Sequence, residues 1–335
     1  MAAGAYILGC AGPTLSGPEA AFFREADPWG FILFQRNIET PEQTRALTSA
    51  LRETVGREAP ILIDQEGGRV QRMWGPTWRV WHPALDQIGD MPVELAAEGM
   101  ALRTRLISHE LLALGIDVNC TPLGDVASDE THPVLLNRCY GREPDRVIAI
   151  ARAVAEAQEE CGVLPILKHI PGHGSTGADS HVALPRVDKP RAALEAWDFT
   201  PFRALSDLPM GMTAHVVYSD IDPVAATISP KMIALIREDI GFDGLLMTDD
   251  LSMEALGGTP AERTGAALAA GCDLILHCNG EMAEMEAVAG AAGRLTAQAL
   301  PRAEAALARR RTPTEIDIAA TEAKLKALLQ GEVYA

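Results

Sequence analysis

The segment LLMTDD at residues 245–250 joins a short apolar run to a threonine and two aspartates. Apolar runs of this kind occur eight times, at residues 6–8, 31–34, 61–63, 116–120, 164–167, 210–214, 245–247 and 274–276. Each run is too short for a helix, and most are uninterrupted by charge. This pattern is typical of parallel strands that are buried on both faces.

Helix-start signals separate these runs. The sequences TPEQ at 40–43 and TPAE at 259–262 each contain a capping threonine, a proline in the first turn and a Gln or Glu three residues after the cap. Eight strands that alternate with helices predict either a barrel or a doubly wound sheet. The number of strands, and the absence of a GxGxxG motif after the first run, favour an α/β fold of the (β/α)8 TIM-barrel type.

The domain organisation is predicted to be simple. No linker rich in Pro, Gly and Ser divides the sequence, so we expect one catalytic TIM-barrel domain over residues 1–335. Residues 303–329 are rich in Ala, Lys and Arg, and they are expected to form a helical C-terminal segment of that domain.

The composition excludes several classes of partner. A formal net charge of −17 disfavours binding to nucleic-acid phosphates, and no run of Lys or Arg offsets it. The six cysteines are scattered and include no CxxC pair, which indicates free thiols in a reducing compartment. No stretch approaches the ~20 apolar residues that span a bilayer. We therefore expect a cytoplasmic protein with no nucleic-acid or membrane partner. Our expectation for the oligomeric state is a monomer.

Polar residues follow the apolar runs, where a barrel of this type carries its active site. DQEGGR at 64–69 and then Arg72 follow the third run, and KHIPGHG at 168–174 follows the fifth. His215 directly follows the sixth run, and Asp249 follows the seventh with only Thr248 between them. Because the strand ends meet at one rim of a barrel, these side chains are predicted to line a common site.

Two features of this set suggest acid–base and nucleophilic chemistry. Asp179 and His181 lie two residues apart, so the carboxylate can bind one imidazole nitrogen and leave the other to exchange a proton with substrate. Asp249 at the barrel rim has the chemistry to attack an anomeric carbon and form a covalent intermediate. The alternatives are a loop whose histidines satisfy backbone groups and an aspartate that caps a helix.

Three segments resemble the family 3 β-N-acetylglucosaminidases of the cell-wall-recycling type. They are DQEGGRVQR at 64–72, KHIPGHG at 168–174 with DSH at 179–181, and TDDLSM at 248–253. The resemblance implies that Asp249 is the nucleophile, His181 the acid/base and Asp179 its partner. It also implies that the sugar hydroxyls are bound by Asp64, Arg72, Arg138, Lys168 and His169. Thr248 stands where this family commonly has Ser.

The implied activity is that of a retaining exo-β-N-acetylglucosaminidase. It would hydrolyse terminal β-N-acetylglucosamine from peptidoglycan-derived anhydro-muropeptides and need neither a metal nor another cofactor. A neutral histidine acid/base repels phosphate less than a carboxylate does, so phosphorolysis stays open beside hydrolysis.

Two readings from other functional classes also remain. A metal-dependent barrel hydrolase could collect zinc ligands from His169, His173, His181, His215 and Asp249. Such barrels usually carry an HxH pair after the first strand, where this sequence has Leu8-Gly9-Cys10. A catalytically silent sugar-binding protein on the same fold is the other alternative.

Overall fold

The computed structural model of the protein describes residues 2–177, 184–253, 256–330 and 333–335. Its strands are β1 (Gly4–Gly9), β2 (Pro28–Leu33), β3 (Ile61–Ile63), β4 (Val118–Asn119), β5 (Leu164–Pro165), β6 (Leu167–Ile170), β7 (Arg186–Val187), β8 (Met210–Thr213), β9 (Val217–Tyr218), β10 (Leu245–Asp250) and β11 (Leu274–His277). Its α-helices are α1 (Gly17–Ala26), α2 (Pro41–Val55), α3 (Ala84–Ile88), α4 (Val93–Leu112), α5 (Pro133–Leu136), α6 (Pro144–Glu160), α7 (Arg191–Ala196), α8 (Thr200–Ala204), α9 (Pro230–Ala234), α10 (Pro260–Ala270), α11 (Met282–Ala292), α12 (Ala299–Ala308) and α13 (Ile318–Leu329).

The main sheet is a closed parallel barrel. Its strand order is β5-β4-β3-β2-β1-β11-β10-β8-β6. β5 and β6 are separated only by Ile166, and together they form one stave that pairs with β4 on one side and β8 on the other. The nine strands therefore make eight staves, which confirms the predicted (β/α)8 barrel. β7 and β9 form a separate parallel pair outside it.

Alternation along the strands divides the apolar residues into two layers. Leu245 and Met247 of β10 belong to a buried cluster that fills the barrel, whereas Leu246 between them packs in the outer cluster against the helices. β11 repeats the arrangement, with Leu274 and Leu276 inside the barrel. Burial on both faces explains why these strands appear in the sequence as continuous apolar runs.

The predicted helix starts are present. Thr40 caps α2, and its hydroxyl accepts a hydrogen bond from the backbone N–H of Gln43 at 3.1 Å. Thr259 caps α10 in a reciprocal capping box with Glu262. Each helix has a proline in its first turn, where a missing N–H costs no hydrogen bond.

Helix α12 closes the N-terminal end of the barrel. Ala299, Ala303 and Ala306 are buried in the same cluster as the barrel interior. Arg302 of this helix forms ion pairs with Asp243 and Asp273, which lie within two residues of the starts of β10 and β11. Small alanine side chains allow the helix to approach the strand ends closely.

Helix α13 and the residues after it pack on α4 and on the loop that precedes α3. α13 packs against α4. Tyr334 contacts the fully buried Trp81 edge to face, with ring centroids 5.1 Å apart, and the backbone N–H of Ala335 donates to the carbonyl of Val80 at 2.8 Å. The end of the described chain therefore packs on the loop between β3 and α3.

All six cysteines are buried and unpaired. Within the described ranges, no helix has the length and apolar character needed to cross a bilayer.

Candidate active site

A cleft of about 110 Å³ opens where the C-terminal ends of the barrel strands meet. The structure describes six of the eight predicted site residues, and all six line this cleft: Asp64, Arg72, Arg138, Lys168, His169 and Asp249. The other two, Asp179 and His181, lie outside the described residues. Apolar side chains complete the walls, among them Phe34, Met212 and Leu276.

Five charged side chains form a continuous row of ion pairs along one wall. Four of them line the cleft, and the fifth, Glu66, is not among the lining residues. Arg72 Nη2 contacts Asp64 Oδ2 at 3.1 Å, and Asp64 Oδ1 accepts from Lys168 Nζ at 2.9 Å. Lys168 Nζ also lies 2.7 Å from Glu66 Oε1. Glu66 in turn accepts two parallel hydrogen bonds from Arg138, at 2.8 and 2.9 Å. Positive and negative side chains alternate along this row, so each cation has a carboxylate partner.

The pKa values follow from this alternation. Burial by itself would raise the pKa of Asp64, but Lys168 and Arg72 hold it well below its ordinary value. For Glu66, Arg138 and Lys168 outweigh burial and lower the pKa to about 2. Burial would lower the pKa of Lys168, yet the two carboxylates raise it. All of these groups are therefore charged at neutral pH, and the wall offers strong hydrogen-bond donors and acceptors to a polyhydroxyl ligand.

Phe34 lies at the end of this wall. The Arg72 guanidinium carbon is 4.9 Å from the centroid of the Phe34 ring. This stacking and the contact with Asp64 hold the guanidinium from two sides.

His169 and His173 are held by a buried carboxylate from a neighbouring loop. His169 Nδ1 lies 2.7 Å from Asp125 Oδ2, and the backbone N–H of His173 donates to Asp125 Oδ1 at 2.7 Å. The ring of His173 lines the cleft, and its Nδ1 lies 2.7 Å from Thr176 Oγ1. Burial lowers the pKa of His173 to about 4, so this ring is neutral at pH 7.

Asp249 occupies the end of β10, as the sequence predicted. Its Oδ1 accepts from the backbone N–H of Asp250 at 2.8 Å. Burial would raise the pKa of Asp249, but His215 and His169 lower it below the usual value, so the group is a carboxylate at neutral pH. Thr248 is fully buried behind it, and its hydroxyl accepts from the backbone N–H of Leu276 at 3.0 Å. A serine hydroxyl could accept the same hydrogen bond, which explains why either residue suits this position.

The residues around Asp249 have structural partners. Asp250 Oδ1 accepts from the backbone N–H groups of Ser252 and Cys278, at 2.9 and 3.1 Å. His215 is fully buried: its Nε2 donates to the carbonyl of Asp250 at 3.0 Å, and its Nδ1 contacts the Thr227 hydroxyl at 2.8 Å. Both ring nitrogens of His215 are thus engaged within the protein.

In the portion of the chain that the structure describes, no group of three or more His, Cys, Asp or Glu side chains is arranged to hold a metal ion.

Comparison with known proteins assigns this barrel to a family. The sequence model of the glycosyl hydrolase family 3 N-terminal domain matches residues 26–310. The chain belongs to glycosyl hydrolase family 3.

Relatives and solved structures agree with this assignment. A β-hexosaminidase from Alkalilimnicola ehrlichii is 39% identical over 289 residues, which cover 83% of this chain and 82% of that protein. A β-hexosaminidase from Chromobacterium violaceum is 38% identical, with coverage of 82% and 79%. The crystal structure of NagZ from Neisseria gonorrhoeae superposes with a TM-score of 0.84 at 30% identity and covers 98% of this chain and 97% of its own. A structure of the same protein in complex with N-trifluoroacetyl-D-glucosamine has a TM-score of 0.83.

The chain is therefore a glycoside hydrolase of the β-hexosaminidase type, which confirms the enzyme class and the family expected from the sequence motifs. Three residues around this site were not among those predicted to act on the sugar, although His173 was named as a possible zinc ligand. Glu66 lies inside the DQEGGR segment, and His173 lies inside KHIPGHG, so the motifs contained both of them. Asp125 follows the fourth apolar run by five residues and has no local signal, because its partners are 44 and 48 residues further along the chain.

Proposed function

We propose that this enzyme is a retaining exo-β-N-acetylglucosaminidase that removes terminal β-N-acetylglucosamine from peptidoglycan-derived muropeptides. The observation that carries the proposal is the ionised Asp249 carboxylate. It lies in a cleft whose wall carries the ion-paired side chains of Arg72, Asp64, Lys168 and Arg138. The β-hexosaminidase relatives and the NagZ complex with N-trifluoroacetyl-D-glucosamine support a 2-acylamino sugar as the ligand.

In the proposed reaction Asp249 attacks the anomeric carbon while His181 protonates the departing oxygen. The bond to the aglycone breaks and a covalent glycosyl-enzyme forms. His181 then takes a proton from a water molecule, which displaces Asp249. Asp179 would accept a hydrogen bond from the His181 ring and raise its basicity. The two inversions return the β configuration.

The cleft wall is proposed to bind the sugar through its hydroxyls. Asp64 can accept hydrogen bonds from hydroxyl groups, and the cations Arg72, Arg138 and Lys168 can donate them. His169 is the fifth member of this set. A small cleft lined on several sides by these groups suits a single terminal sugar, which accounts for the proposed exo action.

The proposal also covers the natural substrate, the cellular location, the domain organisation and the oligomeric state. The muropeptide substrate follows from the family 3 resemblance, and with it a cytoplasmic location. We propose that residues 1–335 act as one catalytic domain and as a monomer.

The deciding experiment compares a β-N-acetylglucosaminide with a β-glucoside that carries the same leaving group. A strong preference for the 2-acetamido sugar is expected. Equal or faster cleavage of the glucoside would rule out the N-acetylglucosamine assignment. Product analysis with and without added phosphate then separates hydrolysis from phosphorolysis, since only phosphorolysis gives a sugar phosphate.

A second experiment tests His181. General acid–base assistance contributes about 10²- to 10⁴-fold in rate. His181→Ala should lose that factor on a sugar–sugar linkage and much less on an activated aryl leaving group. Azide should then restore turnover and yield a β-glycosyl azide. An equal loss on every leaving group, with no effect of azide, would show that His181 is not the acid/base.

A further inference from the structure

Asp125 is a buried carboxylate that the proposed reaction does not use. It lies in the loop after β4, has no exposed surface and is not among the residues that line the cleft. Its Oδ2 contacts His169 Nδ1 at 2.7 Å. Its Oδ1 accepts from the backbone N–H groups of His173 and His169, at 2.7 and 3.3 Å. Each of these three hydrogen bonds is made to the segment that carries His169.

The protonation state of Asp125 decides which nitrogen of the His169 ring carries a hydrogen atom. Burial would raise the pKa of Asp125, but His169 and His173 lower it to about 2. The carboxylate is therefore ionised and can only accept hydrogen bonds. The hydrogen between the two side chains must then lie on His169 Nδ1. In the neutral ring the other nitrogen, Nε2, has a free lone pair.

Close backbone packing keeps the two loops in register. A Cβ atom added at Gly174 would lie 1.9 Å from the carbonyl oxygen of Val126, the residue after Asp125. Gly172, at φ +139°, has a backbone conformation that side chains rarely adopt, and an added Cβ would meet Asp198 at 2.9 Å. Gly174 therefore lies directly against the loop of Asp125, and Gly172 lies against Asp198, so the segment that carries His169 is held in place relative to the carboxylate.

We propose that Asp125 is a positioning residue that fixes His169 in the Nδ1–H tautomer, so that Nε2 accepts a hydrogen bond from a hydroxyl group of the substrate sugar. The identity of the sugar rests on the proposed function, whereas the tautomer does not. His169 thus differs from the cations of the cleft wall, which can only donate.

The test variant is Asp125→Asn. The amide oxygen can still accept from the backbone N–H of His173, but the amide nitrogen is a donor, so His169 Nδ1 must become an acceptor. The ring proton then moves to Nε2, and the cleft gains a donor where it had an acceptor. Nitrogen-15 NMR of labelled histidine in the free enzyme reports the tautomer directly, with the His169 signal assigned from its loss in His169→Gln.

The NMR result expected for the native enzyme is Nδ1–H, and for Asp125→Asn it is Nε2–H. Finding Nε2–H, or a doubly protonated ring, in the native enzyme at pH 7 would overturn the proposal. This measurement needs no substrate and no variant of Asp125. It therefore decides the tautomer even if the enzyme fails to cleave N-acetylglucosaminides or if the variant fails to fold.

Kinetics test the link to substrate. One hydrogen bond to a charged or polarised group corresponds to a loss of about 10- to 100-fold in binding, so KM should rise by that range in Asp125→Asn. Among 3-, 4- and 6-deoxy substrates, the one that lacks the hydroxyl bound by His169 should bind poorly to the native enzyme and no worse than the parent sugar to the variant. Equal penalties for every deoxy sugar in both enzymes would contradict the hydroxyl contact.

Asp273→Asn is the matched control. Asp273 is also a buried aspartate, and it accepts a backbone N–H, that of Leu246 at 3.0 Å, at the opposite end of the barrel. This variant should lose stability without changing the His169 tautomer or the pattern of deoxy-substrate penalties. If it reproduced the behaviour of Asp125→Asn, the effect would come from general destabilisation.

Discussion

Replacing Glu66 by glutamine removes one charge from the middle of the charged wall and leaves the shape of the side chain unchanged. Glu66 has a side-chain exposure of 7%, and it bridges Lys168 and Arg138 through three contacts of 2.7–2.9 Å. In Glu66→Gln these two cations are left with the single carboxylate of Asp64, which already pairs with Arg72. We expect a lower free energy of unfolding and weaker binding of the sugar.

The magnitude follows from the pKa of Glu66. The value falls from 4.5 to about 2 in the folded protein, and at 1.36 kcal/mol per unit this corresponds to roughly 3 kcal/mol of stability. Removing one partner of a buried ion pair costs about 3–5 kcal/mol in other proteins, which agrees with this figure. A folded-state pKa below the unfolded one stabilises the protein above pH 4.5. That contribution is lost as the pH falls from 4.5 towards 2.

The assay is urea unfolding of the native enzyme and of Glu66→Gln between pH 7.5 and pH 3.5. The difference in unfolding free energy should be about 3 kcal/mol near neutrality and should shrink below pH 4.5. The value of kcat/KM at pH 7 should fall by about tenfold or more, since a tenfold change needs only 1.4 kcal/mol. A difference that stays below 1 kcal/mol, or that does not change with pH, would refute the reasoning.

Glu159→Gln provides the control for this experiment. The Glu159 side chain is also 7% exposed and forms a close pair with an arginine, Arg309, at 2.6 Å. Glu159 lies at the end of α6 and pairs with an arginine that does not line the cleft, whereas both partners of Glu66 do. Its replacement should lower stability while leaving kcat/KM unchanged, which separates loss of an ion pair from loss of the site.

Three further predictions follow from the fold and the site. Asp249→Asn should lose activity on activated and natural substrates alike, because an amide cannot replace the nucleophile; turnover within tenfold of the native rate on an aryl glycoside would contradict this. Ala303→Leu should overpack the closed end of the barrel and cost about 1–3 kcal/mol in urea unfolding with KM unchanged, whereas the exposed Ala305→Leu should cost little. Tyr334→Ala removes the aromatic contact with Trp81, whose ring centroid is 5.1 Å away and whose carbonyl accepts from the backbone N–H of Gly68 at 2.7 Å. We expect the free energy of unfolding to fall by about 1–3 kcal/mol and KM to rise. An unchanged KM would show that the end of the chain does not support the cleft.

The barrel was predictable because its signal is local. A parallel strand covered on both faces needs apolar residues at successive positions, so each stave appears as a short run in the sequence. The helix caps at Thr40 and Thr259 are equally local, since donor and acceptor lie within three residues. Five of the predicted cleft residues, Asp64, Arg72, Lys168, His169 and Asp249, follow apolar runs, and they were predictable because the ends of parallel strands meet at one rim. Arg138 was expected only from the family resemblance.

The sequence by itself determined the eight staves, the rim and six of the residues that line the cleft. Only the tertiary structure decided how those residues are held. Asp125 reaches His169 across 44 positions and Glu66 reaches Arg138 across 72, and helix α12 closes a barrel whose first strand begins almost 300 residues earlier. No periodicity in the sequence encodes such contacts. They arise because the closed barrel brings distant loops together. Charged side chains that are buried between these loops need an oppositely charged or hydrogen-bonding partner, since they have lost their contact with water.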